Sequence, residues 1–211
     1  GLDGWGAYSV EKANMPTVKQ LMNNGSYTLE KRSVLPSSSA VNWASMFMGA
    51  GPELHGYTEW GSKTPELPSR ELSHYGIFPS IWGVFRDANP EAEIGFFCQW
   101  GGLEYLAEMK AMSKEMHVKA EDDPSGKADK AVATQSCIYI KEKKPAFVGI
   151  FFDEPDHTGH KSGHDTEAYY QKLEELDGYI AEIVNAVKEA GMWDETIFIV
   201  TADHGGINKG H

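Results

Sequence analysis

Residues 146–201 read as strand, long helix and strand in succession, and no other stretch of the chain constrains the fold as tightly. The helix covers Thr166 to Ala190, where Tyr169, Leu173, Leu176, Ile180, Ile183, Val184 and Val187 recur at spacings of three and four and Gly191 supplies the stop. Before it, Ala146 to Phe152 is a short apolar run, the pattern of a fully buried strand; after it, Thr196 to Thr201 reads as the last strand. Such alternation predicts a mostly parallel sheet with helices on both faces.

The alternation continues upstream. Asn14-Met15-Pro16 opens a helix with Val18, Leu21 and Met22 on one face, and Asn23-Asn24-Gly25 closes it. Tyr27 to Leu35 is an expected strand ended by Pro36, and Ser39 to Met48 an expected helix stopped at Gly49. A loop rich in Gly, Pro and Ser runs from Gly56 to about Arg70. Helix is expected over Ile77 to Ala88, strand over Glu93 to Cys98, a Met-rich helix over 102–116, a break at Glu121 to Gly126, and helix over Lys127 to Lys141. With 41% hydrophobic residues, 211 residues suffice for one substantial core, so one domain over 1–211 is expected. Its ends, at Gly1 and His211, read as cut through a larger protein. The loops at 56–74 and 100–126 are candidates to cover a site and select its substrate.

Charge excludes some functions. A formal net charge of −12, from 31 acidic and 19 basic side chains, argues against a general binder of nucleic-acid polymers or anionic membranes. No apolar run approaches the roughly 18 residues of a membrane span. Cys98 and Cys137 have no metal-ligand spacing and could form at most one disulfide.

In a parallel α/β sheet, ligands gather outside the carboxyl ends of strands. Four places qualify: Asp3, the Ser37-Ser38-Ser39 run, Asp153 to His160, and Asp203-His204. Five of the eight histidines (His157, His160, His164, His204 and His211) fall in the last 55 residues, where carboxylates and imidazoles together suit zinc. Taken singly, each piece has an ordinary reading. The serines could cap a helix, Asp3 could be a turn residue before Gly4, and Asp156 with His160 could be a loop carboxylate beside a solvated imidazole. His55 fits a turn-organising role better than a metal site, and His164 could reach a substrate. Trp5, Trp43 and Trp100 read as core more than as substrate platform, with Trp5 the best exception.

Together the pieces resemble a known family. Pro36-Ser37-Ser38-Ser39-Ala40-Val41-Asn42, continuing through Met48-Gly49, Pro52-Glu53 and His55-Gly56, resembles the nucleophile region of the type I phosphodiesterase/nucleotide pyrophosphatase branch of the alkaline phosphatase superfamily. Leu2-Asp3-Gly4 resembles its first metal aspartate, Asp156-His157-Thr158-Gly159-His160 its Asp-x-x-x-His zinc motif, and Ala202-Asp203-His204-Gly205 its second metal motif. The resemblance implies a three-layer α/β/α sandwich like that of alkaline phosphatase and two divalent metal ions, zinc by preference. Asp3, Ser39, Asp203 and His204 would hold one ion; Asp156 and His160 would hold the other. His211 is the candidate third ligand of the second, because several branches place a histidine shortly after the Asp-His pair.

The implied function is a two-zinc phosphoester hydrolase acting on a small-molecule substrate, as a phosphodiesterase or pyrophosphatase. Ser39 would be the nucleophile, transiently phosphorylated, and Asn42 would donate a hydrogen bond to a nonbridging phosphate oxygen. A phosphomonoesterase, a metal-dependent phosphomutase and a non-catalytic relative are the alternatives. Basic residues near the motifs are few, Lys161 and Lys209 being the nearest, which favours a diester. The branch carries threonine where Ser39 stands, and Lys, Phe and Pro where Ser38, Ala40 and Val41 stand, so the resemblance leaves nucleotide selectivity open. A periplasmic or secreted location is the setting the resemblance implies.

Overall fold

The computed structural model describes residues 1–118 and 127–211. Its sheet contains β1 (Leu2–Asp3), β2 (Ile94–Cys98), β3 (Lys114–His117) and β4 (Phe147–Pro155), in the order β1-β4-β2-β3 with every pairing parallel. All four carboxyl ends therefore point to one side. The helices are α1 (Pro16–Asn24), α2 (Ser39–Met48), α3 (Pro52–His55), α4 (Ile81–Ala88), α5 (Ala128–Lys143), α6 (Asp156–Ser162) and α7 (Glu167–Glu189).

Helices cover both faces of the sheet. On one face Val18 of α1, Val132 of α5 and Leu173, Leu176 and Ile180 of α7 pack with Phe97 and Phe152. On the other, Trp43 and Phe47 of α2 and Trp82 of α4 pack with Phe96 and Phe151. Each fully buried large side chain of this kind contributes roughly 1.5–3 kcal/mol of transfer free energy, so these two clusters, rather than helix propensity, hold the layers together. The expected α/β/α layering is present.

Local signals set the helix ends. The Thr166 side chain accepts from the Tyr169 N–H at the start of α7, and the Ser80 side chain accepts from the Trp82 N–H at the start of α4. That cap starts α4 at Ile81, so residues 77–80 of the expected helix stay outside it. Helix α2 stops where Gly49 adopts φ 59°, which a side chain would oppose. Strand β4 runs three residues beyond its expected end, and Phe147, Val148 and Ile150 are only half-buried.

Three expected elements are corrected. Residues 27–35 are irregular, with Tyr27 64% and Leu35 82% exposed; Lys31 Nζ instead ties the segment to the carbonyls of Ala202 (2.6 Å) and Asp203 (3.1 Å). Residues 196–201 run extended beside β1 without forming a ladder. Because β1 is two residues long, the contact is one hydrogen bond, Leu2 N–H to Thr201 O at 2.9 Å, and one bridge to Ala202. Residues 102–116 form two short 3-10 turns, Gly101–Tyr105 and Met109–Ala111, followed by β3. Glycines at 101 and 102 disfavour an α-helical start, and Ser113 N–H donates to Ile94 O, drawing the chain into the sheet. The expected break at 121–126 lies outside the described residues. Among the described residues no helix is long and apolar enough to cross a membrane.

Candidate active site

The strand ends deliver the motif residues to one place. Asp3 is the last residue of β1, and Gly4 turns the chain at φ 68° directly against Asp156, where a Cβ would stand 2.5 Å from Asp156 Oδ1. Asp156 opens α6 at the end of the adjacent strand β4, and His160 follows one helical turn later. Ser39 is the first residue of α2, preceded by Ser38 in extended conformation. Asp203 and His204 follow the extended segment beside β1. Asp3, Ser39, Asp203 and His204 are all nearly inaccessible to solvent.

Around Ser39 the geometry is tight. Its Oγ lies 3.3 Å from Asp3 Oδ1 and 3.2 Å from His204 Nε2. That Nε2 is also 3.4 Å from Asp3 Oδ1 and 3.2 Å from Asp203 Oδ2. His204 Nδ1 sits 2.9 Å from Gly205 O, an atom that can only accept, so Nδ1 carries the proton. Burial, with His211 nearby, pulls the His204 pKa down to about 4, so the ring is neutral near pH 7 and Nε2 presents a lone pair. Two carboxylates, a hydroxyl and this lone pair thus face one another.

Such an arrangement is costly without a cation. Ligand atoms of Asp3, Asp156 and His204 all lie within 4.8 Å of one another. Two carboxylate charges at that separation repel by about 3 kcal/mol at an effective dielectric near 20. Burial, with Asp203 and Asp156 close by, accordingly drives the Asp3 carboxyl well above its ordinary range. Asp203 is pushed up to about 7, chiefly by burial, although N–H donors from Gly4 and His204 oppose the rise. Asp203 Oδ2 and Asp156 Oδ1 are buried with no hydrogen-bond partner. Carboxylate and imidazole donors converging in this way fit a divalent metal ion.

A second group lies alongside. Asp156, His160 and His211 place ligand atoms within 4.8 Å of one another, with both histidines exposed. His160 Nε2 is 3.1 Å from Asp156 Oδ2 while its Nδ1 faces Lys209 O at 2.9 Å. His211 Nδ1 contacts Ser37 O, and the His211 ring stacks on His204 with centroids 3.8 Å apart. In all three histidines a backbone carbonyl fixes the Nδ1 proton and leaves Nε2 free, the usual orientation of a metal-binding imidazole. The structure thus brings Asp3, Ser39, Asp203 and His204 together, and brings Asp156, His160 and His211 together, with Asp156 between the two groups.

Asn42 Oδ1 accepts from Val34 N–H at 2.8 Å and its Nδ2 donates to Ser38 O at 3.0 Å, so the side chain fastens the segment before Ser39 to α2. Three contributors were not legible beforehand. Trp43 fills the core as expected, yet its Nε1–H also donates to Asp3 Oδ2 at 2.9 Å. Lys31, 171 residues from Ala202 in sequence, braces the Asp203 segment. His164 is buried with Nδ1 3.2 Å from Asn208 O and Nε2 3.4 Å from Asp156 Oδ1, wedged between Gly159 and Gly206, so it joins α6 to the loop that carries His211. Only the cluster of histidines late in the chain hinted at it.

The family model for type I phosphodiesterase/nucleotide pyrophosphatase matches residues 1–208. A bis(5'-adenosyl)-triphosphatase of Mus musculus is 42% identical over 214 residues, covering 96% of this chain and 45% of that protein. Ectonucleotide pyrophosphatase/phosphodiesterase family member 1 of Rattus norvegicus is 22% identical over 197 residues, covering 90% and 21%. The chain thus spans from about a fifth to under half the length of these curated relatives. Among solved structures, murine ectonucleotide pyrophosphatase/phosphodiesterase 5, an inactive variant in complex with AMP, superposes with a TM-score of 0.75 at 21% identity, covering 97% of this chain and 55% of that one. That likeness establishes an alkaline-phosphatase-like fold. With the family model matched along almost its whole length, the chain belongs to the type I phosphodiesterase/nucleotide pyrophosphatase family.

Proposed function

We propose that this chain is the catalytic domain of a two-zinc phosphodiester hydrolase that uses Ser39 as its nucleophile and acts on small nucleotide-like diesters or pyrophosphates. The observation that carries this reading is the convergence of Asp3 Oδ1 and the His204 Nε2 lone pair on Ser39 Oγ at the first residue of a helix, with Asp203 Oδ2 3.2 Å from that Nε2. Asp3, Ser39, Asp203 and His204 would hold one ion, and Asp156, His160 and His211 the other. When bound, the pair supplies Lewis acidity, favouring the ionised serine and neutralising charge on the departing oxygen.

The chain's own groups supply the rest. Backbone N–H groups in the first turn of α2 lack intrahelical acceptors and point where a phosphoryl oxygen would lie. Ser38 Oγ, buried without a partner beside Ser39, is a further donor. Asn42 keeps residues 34–38 in register with α2 and so positions Ser39. Lys31 is engaged by the carbonyls of Ala202 and Asp203, which leaves it unavailable to neutralise the extra charge of a monoester and supports the diester reading. The relatives named for bis(5'-adenosyl) triphosphate and nucleotide pyrophosphate cleavage support a nucleotide-like substrate. The same proposal takes residues 1–211 as one domain, with the loop at 56–74 capping the substrate, since residues 114–117 of the second expected loop belong to the sheet as β3, and with the protein working outside the cytoplasm, as names such as venom phosphodiesterase suggest.

The test compares zinc-loaded protein on bis-p-nitrophenyl phosphate, p-nitrophenyl phosphate and thymidine 5'-monophosphate p-nitrophenyl ester, beside Ser39→Ala. Diester cleavage that is faster than monoester cleavage and vanishes in the variant is the expected result. A monoester preference would move the protein to the phosphatases, and activity that survives Ser39→Ala would remove Ser39 as nucleophile.

A further inference from the structure

Asp156, His160 and His164 recur at intervals of four, which on an unbroken helix would line all three along one face. The helix is broken: α6 ends at Ser162, and Gly163, at φ 103°, turns the chain before His164. His160 therefore stays at the solvent edge of the site, while the His164 side chain is driven inward and is fully buried. Its Nε2 stops 3.4 Å from Asp156 Oδ1. Among the described residues neither atom has a hydrogen-bond partner of its own, so each is the polar group left for the other.

The imidazole is held in place. It is wedged between Gly159 and Gly206, where a Cβ would stand 2.3 Å and 2.2 Å from Nε2 respectively. The Tyr169 ring lies beside it with centroids 5.3 Å apart. Tyr169 OH donates to Gly4 O at 2.7 Å and accepts from Gly6 N–H at 3.0 Å, which fixes the turn that closes against Asp156. Oδ1 of Asp156 thus meets the Gly4 turn and His164, and Oδ2 is left facing His160 Nε2 at 3.1 Å.

The same residue braces the rest of the exposed group. Asn208 O accepts from the His164 N–H at 2.6 Å, and His164 Nδ1 lies 3.2 Å from the same oxygen. Asn208 sits in a turn closed by Ile207 and Gly210, whose N–H groups donate to each other's carbonyls at 2.7 and 3.1 Å. That turn carries Lys209 O, the carbonyl facing His160 Nδ1, and leads into His211.

We propose that His164 is a positioning residue: it holds Asp156, the carboxylate shared by both candidate metal groups, with Oδ2 aimed at the ion beside His160, and it fixes the turn on which the two exposed histidines rely. The inference rests on the two-metal reading above and adds to it what sets the affinity of the exposed group. A carboxylate held through its other oxygen has less freedom to lose when an ion arrives, and removing such a support lowers metal affinity about 10–100-fold.

Zinc affinity tests it without turnover. Wild-type protein, His164→Phe and His164→Gln are each titrated with zinc against a chromophoric chelator. Phe keeps a flat ring and removes the nitrogens, whereas Gln carries an amide that reaches the place of Nε2. The expected result is one ion bound about 10–100-fold more weakly in His164→Phe, the other within about threefold of wild type, and most of the loss recovered in His164→Gln. His164→Leu, equally apolar, replaces His164→Phe with the same readings if the latter does not fold. Wild-type affinities in the apolar variant overturn the inference, as do equal losses at both ions. A glutamine variant no tighter than the apolar one overturns it too, and makes His164 a filler of space. If wild-type protein binds no zinc, the two-metal reading fails and the inference falls with it; if wild type binds two ions and the variants match it, the inference alone fails.

Discussion

The two candidate metal groups are built from the same donors in opposite surroundings. Asp3, Asp203 and His204 are 3%, 0% and 3% exposed and locked by Trp43, Gly4 and Gly205, whereas His160 and His211 are open to solvent at the edge of the site. Burial, with neighbouring carboxylates adding to it, raises the carboxyls of Asp3 and Asp203, so a cation there gains ligation and offsets both the desolvation and the repulsion. The exposed group stores less strain and must order two side chains to bind. We therefore expect unequal affinities, with the tighter ion beside Ser39 and the more exchangeable one beside His160.

The largest expected effect falls on chemistry rather than on binding. Ser39→Ala lowers kcat at least about a thousandfold while zinc content stays near two per chain, measured by elemental analysis alongside turnover. A variant that loses zinc together with activity would make Ser39 a ligand first and a nucleophile second. Next come the ligand groups. Asp203→Asn keeps an acceptor for Gly4 N–H but weakens the tighter ion about a hundredfold or more, whereas His211→Ala weakens only the looser one, by about tenfold. Competition with a chromophoric chelator separates the two, and equal losses would erase the distinction between the groups.

Asn42→Ala probes positioning alone. It leaves Val34 N–H without its acceptor and loosens the segment before Ser39, so stability falls by about 1–3 kcal/mol and kcat drops with zinc affinity unchanged. Denaturant titration and steady-state kinetics read the two effects. Unchanged kcat would reduce Asn42 to a structural residue.

The effect farthest from the chemistry concerns a buried carboxylate outside both groups. Asp129 accepts from the Asp153 and Glu154 N–H groups at 3.2 Å each, and burial, followed by the charge of Asp153, raises its pKa from 3.8 to about 8. Because the folded value lies above the unfolded one, the folded state holds the extra proton between about pH 4 and 8. Stability from this group is complete below pH 4 and is lost as pH rises through 8, with a slope of at most ~1.4 kcal/mol per unit. Asp129→Asn should flatten that part of the profile with or without zinc. A profile that flattens only on zinc addition would tie Asp129 to the metal groups and blur the comparison.

Legibility in the sequence followed the range of the interactions involved. Helices α2 and α7 were readable because serine or threonine starts and three-to-four spacing are local, and β2 and β4 because apolar runs of that length have few other uses. Residues 27–35 and 196–201 carry strand-like patterns too, yet strands exist only through neighbours, and a two-residue β1 offers Thr201 a single hydrogen bond. The Met-rich run at 102–116 buries Leu103, Leu106 and Ala111 at helix-like spacing, but pairing with β2 prevails at its end. Within the site, the four motifs marked which residues would meet. They were silent on Lys31, His164 and the second role of Trp43, whose partners lie 171, 44 and 40 residues away and are chosen by the fold.

The most direct test of the central claim is an anomalous difference map collected at the zinc edge from crystals of the zinc-loaded protein. Two peaks are predicted, the stronger about 2.0–2.2 Å from ligand atoms of Asp3, Asp203 and His204 and bordering Ser39, the weaker among Asp156, His160 and His211. A map without a peak beside Ser39, or with its single peak held by the exposed histidines, would contradict the account.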